Sequence, residues 1–591
     1  MCFEHPTPFA TRWRARWIWH GRPAIGLDGA STPVLPEPRD TVVLLRRVLT
    51  LGAVPAHAPA RCWADGRYAL RVNGMEVARG PVRSDAHQPR YDVVDLAPHL
   101  VAGENVIGVV ARHYGRATSW WVPARPTYSL GAGGVVFEAL VDGEWVVSDR
   151  SWASHAGTAW TPVSGADSAG ALPLESFDAR AHPWGWDRPG FAADDWRPAF
   201  EITPFHSGAH GDPHPPSEPF GVLRPPVRRA FPGGARHDAV ATAPTARRGA
   251  PASDDPVAQA LADEATEAVA DGPVQTVGFD LGRIVCGTVG LEVRDAEPGT
   301  EIAVAAAEHV DADGRLAPLG QHAGFRFVTA GGPVERFTTF DLVGTRYLHA
   351  SVRSPDPGRI PALAIAVQEQ LRPRPAGASF ACSDPVLERI HEIGLRTVDL
   401  CALDAYVDCP TREQRAWTGD SVVHQMVDLV ANPDWSMARW HPQLAATPRP
   451  DGMLPMAAAC DFAGDHHMFV PDWALHWVRS LHNLYRYTGD RELVAELLPV
   501  AEHTLRWFEP FLDADGLLDR VSGWVLLDWG SVYSEGSSST LNALFARALE
   551  DLAEIAEWLG NAATARWARA RRSAVAGAFD RFWDERRGVY V

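Results

Sequence analysis

Asp408-Cys-Pro-Thr-Arg-Glu-Gln-Arg-Ala-Trp-Thr-Gly-Asp420 sets three carboxylates (Asp408, Glu413, Asp420), two guanidinium groups and an indole within thirteen residues. Pro410 suits a first helical position, and Thr411 with Gln414 three residues later fits a capping box. The spacing therefore predicts a helix from Pro410 on which Glu413 and Asp420, two turns apart, share a face, with Asp408 just ahead of it. Clustered carboxylates repel, which favours holding one of them protonated, as a general acid requires. A charged helix entrance with surface Arg–Glu pairs is the plain alternative. Cys409, Trp417 and Gly419 between the charges argue instead for a packed, concave place.

On both sides of this stretch the period is helical. Ser383 or Asp384 caps a run in which Val386, Leu387, Ile390, Ile393, Leu395 and Val398 predict a largely buried helix. After it come apolar helical stretches at 420–431, 434–445, 473–487, 493–512, 540–559 and 562–583, with Gly489, Asp490 and Gly560 where stops and starts belong. Paired amphipathic helices with short connections and no fixed-period repeat suit an α/α toroid better than a solenoid. Asp472-Trp473 and Asp528-Trp529 fall at loops between these helices, where each pair offers a hydroxyl acceptor beside an apolar ring face for a pyranose. Asp472 reads equally well as a helix N-cap. Asp465-His466-His467 reads as a solvated loop.

Towards the N-terminus the alternation changes to period two. Val42–Thr50, a pair of strands around Asn73-Gly74 in the stretch from Cys62, 104–114, 134–141 and 144–148 with Asp142-Gly143 as a turn suggest an antiparallel sandwich or jelly roll over 1–204. Trp120-Trp121 reads as buried structural aromatics. Residues 205–272, rich in Pro, Gly and Ala, read as a linker with a short acidic helix at 256–270, and His206, His210 and His214 in it form no preformed metal cage. A second β-sandwich follows over 273–375, and 376–591 is the helical domain. Asp311-Ala-Asp-Gly reads as a turn, lacking the further ligands of a calcium loop.

Composition narrows the class. The chain has 591 residues, 46% of them hydrophobic, and a net charge of −18, which argues against a nucleic-acid or anionic-membrane partner. Seven scattered cysteines without a CxxC pair give neither a disulfide framework nor zinc spacing, so no metal and no cofactor is expected. No apolar run approaches twenty residues, and the start of the chain has no apolar h-region, so a cytoplasmic protein is expected.

Asp-Cys-Pro-x-Arg-Glu followed by Trp-x-Gly-Asp resembles the signature of the bacterial α-L-rhamnosidases with a six-hairpin (α/α)6 catalytic domain. Asp280-Leu-Gly-Arg283 and Gly344-Thr-Arg-Tyr347 resemble two strands that precede the toroid in that family. The resemblance implies β-sandwich modules followed by a toroid, and an inverting hydrolase that releases α-L-rhamnose from an oligosaccharide or glycoside. It makes Glu413 the general acid, and Asp408, Arg412, Trp417 and Asp420 sugar-contacting residues, with Trp473 and Trp529 placed more loosely as further contacts beside the Asp528 already read from its loop. The sequence offers about seven helices against the twelve of a closed toroid, and no glutamate matches the family's base, Glu535 being the nearest candidate. The expectation is therefore an incomplete toroid, its base beyond the chain end. Two other readings follow from the same residues: a six-hairpin glycosidase for another sugar, or a carbohydrate-binding protein without catalysis.

Overall fold

The computed structural model describes residues 8–10, 12–21, 26–27, 33–34, 40–85, 89–114, 133–161, 175–202, 235–241, 245–246, 275–311, 323–356, 361–372, 374–375, 377–459, 469–530 and 534–591. Trp120, Trp121, His206, His210, His214, the 256–270 segment, Asp313, Cys460 and Asp465-His466-His467 lie outside the described residues. Two compact units divide the chain: residues 1–373 with Cys409–Gln414, and residues 374–408 with 415–591.

The first unit opens with two antiparallel sheets of six strands. Thr41–Leu51 and Gly103–His113 pair along their whole length, from Thr41↔His113 to Leu51↔Gly103. The second sheet joins Val135–Val141 to Pro59–Ala64 and Ile18–Trp19. Trp17, Trp63, Tyr68, Leu70, Phe137 and Trp152 are buried in the core of this module. Asn73 (φ 52°) with Gly74 (φ 85°), and Asp142 (φ 50°) with Gly143 (φ 81°), form the left-handed pairs of two-residue hairpins. The stretch from Cys62 holds parts of three strands rather than two. An additional turn at Asp65-Gly66 separates Pro59–Ala64 from Arg67–Val72. A Cβ on Gly66 would lie 2.2 Å from the Arg112 carbonyl oxygen, so only glycine permits that turn.

A ten-stranded sheet completes the unit around Gln275–Arg294, which pairs with Val343–Arg353, Ala362–Glu369 and Val334–Thr338. Its register against Val343–Arg353 shifts between Asp280 and Val285, a bulge that contains the Asp280-Leu-Gly-Arg283 pattern. There Asp280 accepts from the Gly282 amide (2.7 Å) and from Arg346 Nε (3.1 Å), so the two strand patterns of the resemblance meet in one ion pair. Within the stretch read as linker, Arg236–Asp238 pairs with Ala362–Glu369 and Val240–Ala241 with Gln275–Arg294. Glu175–Asp178 runs parallel to Ala323–Val328 in the same sheet.

The second unit holds seven α-helices among the described residues: α1 (Pro385–Cys401), α2 (Ser421–Ala431), α3 (Ser436–Ala445), α4 (Pro471–Thr488), α5 (Arg491–Arg506), α6 (Ser539–Leu559) and α7 (Ala562–Ala578). They form consecutive hairpins of an incomplete six-hairpin array. Asp384, Asp490, Ser538 and Asn561 each accept a backbone N–H at a helix start. Gly489 (φ 61°) and Gly560 (φ 83°) end α4 and α6. Trp440, Trp477, Leu481, Phe508, Phe545 and Leu549 share its core. Gln425 of α2 donates to carbonyls of α3 and α4 (3.0 and 3.2 Å), satisfying a buried amide where three helices meet.

Two helical expectations need correction. Val386, Leu387, Ile390 and Ile393 are half or more exposed, and α1 is buried only at Val398, Leu400 and Cys401. Apolar periodicity locates a helical face, and packing partners decide whether that face is covered. No helix begins at Pro410 either. Residues 410–413 form a turn, and Glu413 (φ 35°) and Gln414 (φ 48°) are left-handed.

Candidate active site

The loop at Cys409–Gln414 owes its shape to side chains that turn away from the helical alternative. The Thr411 hydroxyl donates to the Glu308 carboxylate instead of capping its own backbone. Arg412 Nη1 joins the same carboxylate at 3.0 Å. Gln414 Nε2 donates to the Pro410 carbonyl (2.8 Å), and Arg83 Nη1 donates to the Gln414 carbonyl (2.9 Å). A Cβ on Gly344 would sit 1.9 Å from the Pro410 carbonyl oxygen, so the Gly344-Thr-Arg-Tyr strand can lie against this loop only because it carries glycine there. Two consecutive non-glycine residues at positive φ store of the order of 1–3 kcal/mol each, and such strain concentrates at functional sites. Glu413, the expected acid, is one of them. Its side chain is half-buried.

The second unit gathers most of the remaining expected residues. Asp408 and Arg415 close the base of the loop on each other: each donates its backbone N–H, to the Arg415 carbonyl and to Asp408 Oδ1 respectively, both at 3.1 Å. Arg415 is fully buried and lies over the Trp417 ring at 5.9 Å. Trp417, in a short strand paired with Ala457–Ala458, packs against Trp473 with ring centroids 5.8 Å apart. Gly419 makes room for this, since a Cβ there would meet Trp473 Cδ1 at 2.4 Å. The Cys401 thiol is pushed up to about 12 by burial and then by the nearby charges of Asp408 and Asp420. Its Sγ lies 3.6 Å from the Asp408 carbonyl. Asp420 stands directly before α2, so it and Glu413 do not share the face of one helix that the spacing predicts.

Asp472 decides how Asp528 and Trp529 are held. It is no N-cap: Val470 occupies that position, and the fully buried Asp472 carboxylate accepts the N–H groups of Leu526 (3.2 Å) and Leu527 (3.0 Å). Burial raises its pKa, and bonds from its own amide and from those of Leu527 and Leu526 oppose the rise. The clamp bears on a sharp turn in which Leu527 has φ 57° and the Trp529 amide donates to Asp528 Oδ1 at 2.7 Å. Trp529 is 77% exposed, touching Trp524 edge-on at 5.6 Å, so one of its ring faces is open. Trp417 and Trp473 thus touch directly, Asp408 reaches Trp417 through Arg415, and Asp528 and Trp529 are tied to Trp473 through its neighbour Asp472.

Sequence reading missed Glu308, Arg83 and Arg415, and it gave Asp472 as a sugar-hydroxyl acceptor or an N-cap where the structure has a loop clamp. Glu308 and Arg83 are ordinary strand-end charges until a distant loop reaches them. Only Asp472 carried a signal, its place beside Trp473. Among the described residues no cluster of His, Cys, Asp and Glu is placed to hold a metal ion, and no helix is long and apolar enough to cross a membrane.

Two family models match this chain. Residues 375–591 match the bacterial alpha-L-rhamnosidase 6 hairpin glycosidase domain, and residues 55–218 the alpha-L-rhamnosidase N-terminal domain. An alpha-L-rhamnosidase of Streptomyces avermitilis is 24% identical over 530 residues, which are 85% of this chain and 45% of the relative. The chain thus spans less than half the length of that curated relative. The family 78 glycoside hydrolase rhamnosidase of Bacillus sp. GL1 superposes with a TM-score of 0.77 at 19% identity, covering 98% of this chain and 78% of the other. The Streptomyces avermitilis α-L-rhamnosidase crystallised with L-rhamnose gives 0.67 at 19% identity, over 93% of this chain and 50% of the other. At these identities the superpositions establish a shared fold.

Proposed function

We propose that this chain, whose residues 55–218 and 375–591 match the N-terminal and six-hairpin domain models of the bacterial α-L-rhamnosidases, is a glycoside hydrolase releasing terminal α-L-rhamnose with inversion. The observation that carries this reading is the left-handed turn at Glu413-Gln414, held by Glu308, Arg83 and Gly344 inside the motif that resembles the family's acid. A side chain displayed on a strained, externally braced turn is aimed, and aiming is what proton donation to a glycosidic oxygen demands.

In this reaction Glu413 gives its proton to the leaving-group oxygen as the bond to the anomeric carbon breaks. A water activated by a base on the opposite face attacks that carbon, the two carboxyl groups standing roughly 6.5–9.5 Å apart. Asp408, Arg412 and Asp420 supply hydrogen bonds to ring hydroxyls. Trp417 and Trp473 offer an aromatic wall for the apolar side of the 6-deoxy sugar, and Asp528 with Trp529, on the loop that Asp472 clamps, offer a further acceptor and ring face. The partner is a rhamnose-containing glycoside or oligosaccharide.

Glu413→Gln should lower turnover of an aryl α-L-rhamnoside at least about a hundredfold, within the range of general acid catalysis. Proton NMR of the first sugar released should show the inverted anomer. Unchanged turnover in the variant removes Glu413 from its role, and a retained anomer removes inversion.

A further inference from the structure

A cavity of about 730 Å³ lies wholly in the first unit, between the Arg67–Gly80 hairpin, the 177–188 segment and the strand Val334–Thr338. None of the candidate site residues lines it. Its volume falls in the range of small-molecule sites. Trp160, Phe177, Trp184 and Trp186 supply the apolar lining. Trp184 is 50% exposed, yet its Nε1–H is fixed to the Ala179 carbonyl at 3.0 Å, so the indole is pinned by its edge with ring surface open to solvent. His182 also lines the cavity, ringed by Trp184 (4.6 Å), Phe177 (5.3 Å) and Trp160 (5.6 Å). Burial holds it neutral, its pKa lowered to about 4. Its Nδ1 is buried and has no hydrogen-bond partner among the described residues, so His182 serves the cavity as part of its aromatic lining.

The polar rim restricts what that is. Four arginines (71, 79, 188 and 336) and three carboxylates (Glu76, Asp187 and Glu335) line the cavity, a nearly balanced set that favours neither an anion nor a cation. Arg71 Nε and Asp187 Oδ2 are 2.5 Å apart and part-buried. A purely aromatic ligand would strip water from this pair and return no hydrogen bonds. A sugar hydroxyl can accept from a guanidinium and donate to a carboxylate at once, while the C–H face of the ring rests on an indole.

We propose that this cavity is a second, non-catalytic saccharide site that takes a neutral pyranose, with Trp184 as its platform and the Arg71–Asp187 pair as its hydrogen-bonding group. The proposal does not rest on the hydrolytic reading, because it uses no residue of that site.

The test is an NMR titration of the full chain, ¹⁵N-labelled at tryptophan, with the methyl pyranosides of L-rhamnose, D-galactose, D-glucose and D-xylose, and with indole-3-acetate as an anionic aromatic control. The Trp184 and Trp160 Nε1–H resonances should shift saturably with at least one pyranoside. The Trp160 response should weaken at least about tenfold in Trp184→Ala, one decade in Kd, and persist in Trp184→Phe, which keeps a ring. Unmoved Trp152 and Trp477 resonances report that the variants fold. Absence of a saturable Trp184 shift with every pyranoside in the unmodified chain overturns the proposal. So does a response to indole-3-acetate alone, or a Trp160 response unchanged in Trp184→Ala.

Discussion

Two glycines carry much of the candidate site. Trp473 can approach Trp417 only because Gly419 has no Cβ, and the loop bearing Glu413 can lie on its strand only because Gly344 has none. The two differ in what an added methyl group would strike. At Gly344 it meets backbone, the Pro410 carbonyl at 1.9 Å, and backbone cannot yield without moving the loop. At Gly419 it meets an indole that can rotate. Gly344→Ala should therefore destabilise at the upper end of, or beyond, the roughly 1–3 kcal/mol of overpacking, seen as a lowered Tm. Gly419→Ala should cost less stability and raise KM for an aryl rhamnoside by turning the aromatic wall. Equal losses of stability in the two variants would argue against this distinction. The sequence displayed both glycines inside recognisable patterns, yet the reason for each lies at the other end of a long-range contact.

Among the elements, α4 acts through its first turn. Asp472 is oriented by the helix start and gives its carboxylate to two amides of the 524–530 loop. An amide oxygen in its place keeps one acceptor and turns an N–H group toward an N–H group. Asp472→Asn should then cost about 1–3 kcal/mol, the penalty for a buried donor left without its acceptor. The loss should concentrate in the loop, read as faster amide exchange at Leu526 and Leu527 with α5 to α7 unchanged. Uniform loosening of the whole helical unit would show that Asp472 is a general core residue. Helix limits were legible because caps and glycine stops are local chemistry, as at Asp490, Gly489 and Gly560. The false helix at Pro410 shows the limit of that logic. Thr411 and Gln414 have capping-box chemistry, but Glu308 and the Pro410 carbonyl compete successfully for those groups.

For the whole molecule, buried histidines set a response to acid. His182 and His424 are both lowered to about 4, by burial in each case, against an ordinary value of 6.5. Between those values the unfolded chain binds protons that the folded chain refuses, so their contribution is present above about pH 6.5 and lost as pH falls toward 4. Each accounts for at most roughly 3 kcal/mol over that window. Glu175, raised to about 7 by burial, works the other way, losing stability as pH rises from its ordinary 4.5. The variant comparison separates them: in His424→Gln the fall in Tm between pH 7 and pH 5 should be smaller than in the parent chain. An equal fall would mean that His424 takes its proton without strain. By itself the sequence determined the succession of β modules and helical hairpins, the hairpin turns and the motif that holds the candidate acid, because alternation, caps and left-handed turns depend on neighbours in the chain. Only the tertiary structure decided that the motif is a braced turn and no helix, that Asp472 clamps a loop, and that the apolar face of α1 stands exposed. Each of those depends on which distant group wins a hydrogen bond or covers a surface, and no local pattern encodes that competition.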